Sequence, residues 1–275
     1  MRGSVDPRPN GGDVMVPVPT TGRLYSAGRR VRLGDVDPSG RLRLDAVARY
    51  LQDVATDDTD DAGMPASQAW VVRRSVVEQR RPAVLGERLE LATFCAGFGS
   101  RWAERRVAMS GERGASIDAA TVWVHLDPTT GRPKALTSQF HELYAPTAAG
   151  REVLARLVHE PVPPGGEGVA SFPWTVRAAD LDVFDHANNA MAWAVVEQLA
   201  QAVGPWGVAG DHSEVLAAPF RAEVEFRNAV ERSAMERGVE LTVAHRPHDG
   251  GHTLTVWSSD GSTAHLTATL APLDD

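Results

Sequence analysis

Two stretches of the chain repeat the same order of apolar and polar positions. Leu44, Val47, Leu51 and Val54 fall at i, i+3, i+7 and i+10. Ala192, Val195, Val196, Leu199 and Val203 fall at i, i+3, i+4, i+7 and i+11. Each spacing puts one apolar face on a long helix. Gly204-Pro205 is a stop signal for the second. Strand-like runs follow each helix, with no further long helix expected. After the first they cover Ala69–Arg81, Glu87–Cys95, Trp102–Met109 and Ile117–Leu126. After the second they cover Ala217–Asn228, Val239–Arg246, Thr253–Ser258 and Thr263–Ala271, with hairpin signals at Asp249-Gly250-Gly251 and Ser259-Asp260-Gly261.

The two halves align at an offset of 145 residues. Val31-Arg32-Leu33-Gly34-Asp35-Val36-Asp37 meets Val176-Arg177-Ala178-Ala179-Asp180-Leu181-Asp182, and Gln52 meets Glu197. Strand, helix and four strands without βαβ alternation mean an antiparallel sheet with its helix on one face. The expected class is therefore α+β, a tandem double hotdog in which each half wraps a sheet around a long central helix. The expected organisation is a disordered tail over 1–22, a first domain over 23–146, a linker over 147–170 and a second domain over 171–275. Pro161-Val162-Pro163-Pro164-Gly165-Gly166 carries the linker signal.

Composition narrows the function. Apolar residues make up 43% of the 275 positions, enough for real cores. A net charge of −8 argues against a general nucleic-acid binder. Residues 23–146 hold 18 basic and 16 acidic side chains, net +2; residues 171–275 hold 6 and 15, net −9. An acidic partner would therefore dock on the first half. Cys95 is the only cysteine, so no intrachain disulfide forms and a reducing, cytoplasmic setting is expected. The first 22 residues lack the apolar core of a signal peptide, and Met15 is an alternative start. No apolar run is long enough to span a bilayer.

Asp180-Leu181-Asp182-Val183-Phe184-Asp185-His186-Ala187-Asn188-Asn189 is the densest polar cluster, and it ends where the second helix begins. Backbone N–H groups there are unpaired and sit at the positive end of the helix dipole. Such donors stabilise a developing oxyanion by roughly 3 kcal/mol each. Asp182 is the candidate general base or nucleophile, and His186 the candidate partner that orients water or a carbonyl. Asn188 and Asn189 are N-cap residues that shape the same site. Asp180 and Asp185 read as turn residues, and Phe184 as a residue packed into a tunnel or core. Asp37 is the rival catalytic position, with Arg41 standing where the second copy has His186. An arginine cannot act as a base at neutral pH; it would hold a phosphate or neutralise Asp35 and Asp37.

The chain resembles the acyl-acyl-carrier-protein thioesterase family. The residues that carry the resemblance are Tyr50-Leu51-Gln52-Asp53-Val54-Ala55, Trp70-Val71-Val72-Arg73-Arg74, Gly86, Ala120-Thr121-Val122-Trp123-Val124 and Thr130-Gly131-Arg132-Pro133 in the first copy. In the second copy they are Asp182, His186, Asn188-Asn189 and Val224-Glu225-Phe226-Arg227. Gly34-Asp35-Val36-Asp37-Pro38-Ser39-Gly40 is similar to the active-site start of 4-hydroxybenzoyl-coenzyme-A-type thioesterases. The resemblance implies hydrolysis of fatty acyl thioesters on a phosphopantetheine arm, with Asp182 and His186 at the catalytic Asp and His positions. It implies acyl carrier protein as carrier; coenzyme A is the alternative, and a silent acyl-binding protein a further one. It implies no cofactor and no metal, and either a monomeric pseudo-dimer or a homodimer. The family's Asn stands at Phe184 here, and its Glu-Cys pair at Ala229-Val230. A smaller catalytic set, substitution by Glu231 or Glu197, or weak activity would follow.

Other clusters have plainer readings. Asp57, Asp58, Asp60 and Asp61 read as a solvated helix end. His245, His248 and His252 read as a surface loop rather than a zinc site. Arg73, Arg74, Arg80, Arg81, Arg105 and Arg106 could receive an acidic carrier, although strand alternation lets at most half share a surface. No Gly-x-Ser-x-Gly elbow, P-loop or dinucleotide fingerprint occurs.

Overall fold

The structure is a computed structural model that describes residues 15–65, 68–203 and 216–273. The first copy contributes β1 (Tyr25–Arg30), α1 (Leu44–Asp61), β2 (Ala69–Arg81), β3 (Arg88–Phe98), β4 (Trp102–Gly111), β5 (Ser116–Leu126) and α2 (Ser138–Ala148). The second contributes β6 (Ala170–Thr175), α3 (Asn189–Val203), β7 (Phe220–Phe226), a short α4 (Arg232–Glu236), β8 (Glu240–His248), β9 (Gly251–Trp257) and β10 (Ala264–Pro272). The ten strands form one sheet in the order β1-β3-β4-β5-β2-β7-β10-β9-β8-β6. The order reads the same from either edge once the copies are matched. Antiparallel pairing of β2 with β7, from Arg74 opposite Glu225 to Gln79 opposite Phe220, joins the halves.

Alternate residues of each strand face the helices. Val77, Leu89, Leu91, Val107, Met109, Ile117 and Ala119 pack with Leu44, Val47, Leu51 and Val54 of α1. Val224, Leu241, Val243, Leu254, Val256 and Leu266 pack with Val195, Val196 and Leu199 of α3. Each buried Val, Leu, Ile or Met side chain stabilises by about 1.5–3 kcal/mol. α1 and α3 also pack on each other, so both copies share one core. The expected stop at Gly204-Pro205 and residues 1–14 of the expected tail over 1–22 lie outside the described residues.

Residues 151–162 cross the outer face of the sheet. Arg74 donates to the Arg156 carbonyl at 3.2 Å, Glu225 accepts from Val158 and His159 N–H, and Thr255 accepts from Val162 N–H. The Trp102 and Trp257 indoles donate to the Val153 and Val162 carbonyls. These side chains cover the sheet seam with the connecting segment.

Two elements depart from the sequence expectation. α2 is a helix of 11 residues where no further long helix was expected. Phe140, Tyr144 and Ala148 lie on one of its faces and build a second apolar cluster with Cys95, Ala103 and Leu136. The Thr137 hydroxyl caps its start by accepting from Phe140 N–H. α4 is the other, a single turn beside the loop that carries Asp182.

Candidate active site

The loops that precede α1 and α3 have the same backbone. In the first, Asp37 N–H donates to the Arg41 carbonyl and Arg43 N–H to the Asp35 carbonyl; in the second, Asp182 N–H donates to His186 and Asn188 N–H to Asp180. Bridges join Val36 to Leu42 and Leu181 to Ala187. Asp37 Oδ1 accepts from Ser39 N–H and Asp182 Oδ1 from Phe184 N–H, each at 2.9 Å. Both loops need one left-handed residue, Gly40 at φ +86° and Asp185 at φ 62°. Aspartate tolerates that conformation at some cost, and Arg232 Nε holds the Asp185 carboxylate at 2.7 Å.

The side chains then make two different sites. Arg41 is buried between Asp37, at 3.0 Å, and Glu197 of α3, with which it forms a close ion pair. Glu197 also accepts from Leu44 N–H at 3.0 Å, so a carboxylate from the second copy caps α1. Burial pushes the Glu197 carboxyl up, against the opposing pull of Arg41 and Leu44 N–H. Burial would also raise Asp37, but the Ser39 hydroxyl, Arg41 and backbone N–H groups hold it below the usual carboxylate range. The first site is a closed cluster of charges.

The second site is open. Asp182, His186, Asn188 and Asn189 line a cavity of about 1280 Å³ that runs into the first copy between α1, β2–β5 and α2. Asp37, Arg41 and Glu197 do not line it. Gln52, the counterpart of Glu197, donates from Nε2 to Asn188 Oδ1 at 3.1 Å, and that oxygen also caps α3 by accepting from Ala190 N–H at 2.9 Å. The Asn189 N–H, counterpart of the Leu44 N–H that Glu197 occupies, has no hydrogen bond among the described residues. The His186 ring meets Glu231 at 3.2 Å. No hydrogen bond links the Asp182 carboxylate to the His186 ring among the described residues.

The structure thus brings Asp182, His186 and Asn188 together and leaves Asp37 outside. Glu231 reaches His186, whereas Glu197 is bound to Arg41. Phe184 is not packed into a core: it lines the open cavity from the loop tip, 75% exposed, beside Val183 at 91%. Asp180 is a turn residue, held by Arg177 at 2.7 Å.

Three other expectations change. Asp58 is not solvated; it is 1% exposed and accepts from Arg23 Nε, Arg105 Nη1 and Tyr144 Oη. The arginine set is not one docking surface, because Arg74 and Arg106 are buried, Arg105 lines the cavity, and Arg80 and Arg81 remain exposed. His245 and His252 sit on strands β8 and β9 with rings 6.2 Å apart, not in a surface loop, and burial lowers both pKa values. Among the described residues, His159, Glu223 and Glu225 could converge on a metal ion. Arg221 and Arg227 already pair with those carboxylates, and Glu225 clasps the connecting segment. No described helix is long and apolar enough to cross a membrane.

Residues 22–144 match the acyl-ACP thioesterase N-terminal domain. Uncharacterized protein Rv2001 of Mycobacterium tuberculosis is 29% identical over 238 residues, covering 86% of this chain and 87% of its own. An acyl-ACP thioesterase from Bacteroides thetaiotaomicron superposes with a TM-score of 0.70 at 17% identity, covering 90% of this chain and 97% of its own. The 12:0-ACP thioesterase from Umbellularia californica superposes at 0.68 and 17% identity, covering 90% and 96%. These likenesses show the double-hotdog fold. Residues 22–144 thus resemble the N-terminal domain of acyl-ACP thioesterases, and the whole chain shares the fold of two solved members of that group.

Proposed function

We propose that the protein releases free fatty acid from acyl carrier protein, with its chemistry at the second-copy loop. The observation that carries this reading is the contrast between the loops: Asp182, His186 and Asn188 face the cavity, and Asp37 is tied to Arg41 outside it. The acyl chain enters the cavity and the thioester carbonyl lies at the start of α3. The Asn189 N–H then donates to the developing oxyanion, at the position that Glu197 fills in the first copy. Asp182 has Oδ1 engaged by Phe184 N–H and offers Oδ2 to a water. Water attacks the carbonyl carbon, its proton passes to the carboxylate, and the C–S bond breaks. The pantetheine thiolate leaves and takes up that proton.

His186 orients the water or the carbonyl, and Glu231 fixes its ring. This assigns to Glu231 the role left vacant by Ala229 and Val230. We place the protein in the cytoplasm, on the support of its single cysteine, and read it as a covalent pseudo-dimer joined at the β2–β7 seam. Thiol release from acyl carrier protein and coenzyme A thioesters at equal concentration tests the carrier. Faster release from coenzyme A would overturn that part. Undiminished turnover in Asp182→Asn would overturn the site.

A further inference from the structure

The cavity does not end on hydrocarbon. Gln52, Ala55, Thr56 and Thr59 line it along one face of α1, and the seven helical steps from Gln52 to Thr59 span about 10 Å. At the far end stand Arg105 of β4 and Trp123 of β5. Ala103 is opposite Trp123 and Arg105 is opposite Thr121, so Arg105 and Trp123 share the inner face as diagonal neighbours, roughly 7–8 Å apart.

Both side chains hold donors that the protein does not use. Arg105 Nη1 donates to Asp58 Oδ2 at 2.6 Å and to Thr93 Oγ1 at 3.2 Å, and the Tyr144 hydroxyl also hydrogen-bonds the guanidinium, which leaves part of its five-donor fork unused. The Trp123 Nε1–H is buried and has no partner there. Polar groups in such settings are normally paired. The threonines do not compete as donors, because Thr56 gives its proton to the Gln52 carbonyl and Thr59 to the Thr56 carbonyl.

The arginine is also held rigidly. Asp58 grips it and is itself gripped by Arg23 and Tyr144. Asp58 already balances the Arg105 charge. A carboxylate would bring an uncompensated charge into the interior, whereas a neutral oxygen would satisfy both donors without one.

We propose that Arg105 and Trp123 form a distal subsite for a neutral oxygen, so that the preferred substrates are acyl thioesters with a hydroxyl or keto group near the far end of the chain. The inference rests on reading this cavity as the acyl site.

The test uses the full chain. Thiol release is measured on coenzyme A and acyl carrier protein thioesters of octanoyl, decanoyl and dodecanoyl chains, plain and with a terminal hydroxyl or methyl ketone. Calorimetry measures binding of the corresponding free acids. One recovered hydrogen bond predicts a preference of about tenfold for an oxygenated chain of the matching length, in kcat/KM and in affinity. Trp123→Phe keeps the ring and removes the N–H. Arg105→Lys keeps a cation for Asp58 and removes the fork. Loss of the preference in either variant supports the subsite. Equal or better use of plain chains by the wild type at every length overturns it, as does a preference that survives both variants. If no thioester releases thiol, the hydrolase reading fails and the calorimetry still decides the subsite; if no acid binds, the subsite falls as well.

Discussion

The loop of the first copy and the loop of the second share their backbone hydrogen bonds, their left-handed residue and their bridge, yet one is sealed and the other lines a cavity. Two substitutions account for the difference. Arg41 and Glu197 stand where the other loop has His186 and Gln52. The charged pair closes on itself and caps α1 with a carboxylate. The uncharged Gln52 instead supports Asn188 and leaves the helix start open. In the proposed reading, the duplicated fold carries chemistry in one copy and cohesion in the other on the same backbone hydrogen bonds.

The sharpest way to break this comparison is to exchange loss of activity for loss of stability between the copies. Asp182→Asn is expected to lower kcat by about 10²–10⁴-fold with an unchanged denaturation midpoint, and Asp37→Asn to leave turnover intact. Equal losses in the two variants would mean that both loops are catalytic.

Stability should respond in the opposite way. Arg41→Ala leaves Glu197 buried without its partner and is expected to cost about 3–5 kcal/mol in chemical denaturation. His186→Ala, at a half-exposed pair, should cost under about 1 kcal/mol while lowering activity.

A smaller effect tests the substitute carboxylate. Glu231→Gln should lower kcat by less than about tenfold, because an exposed ion pair contributes at most about 1 kcal/mol. No change would reduce His186 to acting alone.

The smallest effect is a pH dependence confined to the first loop. The Asp37 carboxyl is depressed in the folded state, so its contribution is present above the ordinary carboxylate value of about 4. It is lost as pH falls through the lower folded value. Urea midpoints measured against pH should show a shallower acid limb in Asp37→Asn than in the wild type.

Much of this contrast was legible in the chain. The two α1-like faces, the strand runs and the 145-residue offset repeat short-range patterns that a helix or a strand must satisfy by itself. The Asp182 and His186 positions emerged because the first copy keeps the aspartate and lacks the histidine. α2 could have been seen in the spacing of Phe140, Tyr144 and Ala148, but Pro146 falls within that run. A proline there removes a backbone donor and masks a helical reading.

The burial of Asp58 is hidden in the sequence for a different reason. Its neighbours in sequence are acidic and exposed, whereas its partners Arg23, Arg105 and Tyr144 lie 35, 47 and 86 positions away. Phe184 shows the converse, an aromatic residue that the loop geometry carries to the exposed rim of the cavity.

By itself, the sequence determined the tandem architecture, the helices at its centre and the candidate residues for the proposed chemistry, because periodicity and residue chemistry are local. The tertiary structure alone decided which copy is open, what lies at the end of the cavity and which carboxylate reaches His186. Those outcomes depend on which distant side chains meet in a desolvated interior, where pairing between charges outweighs any local preference.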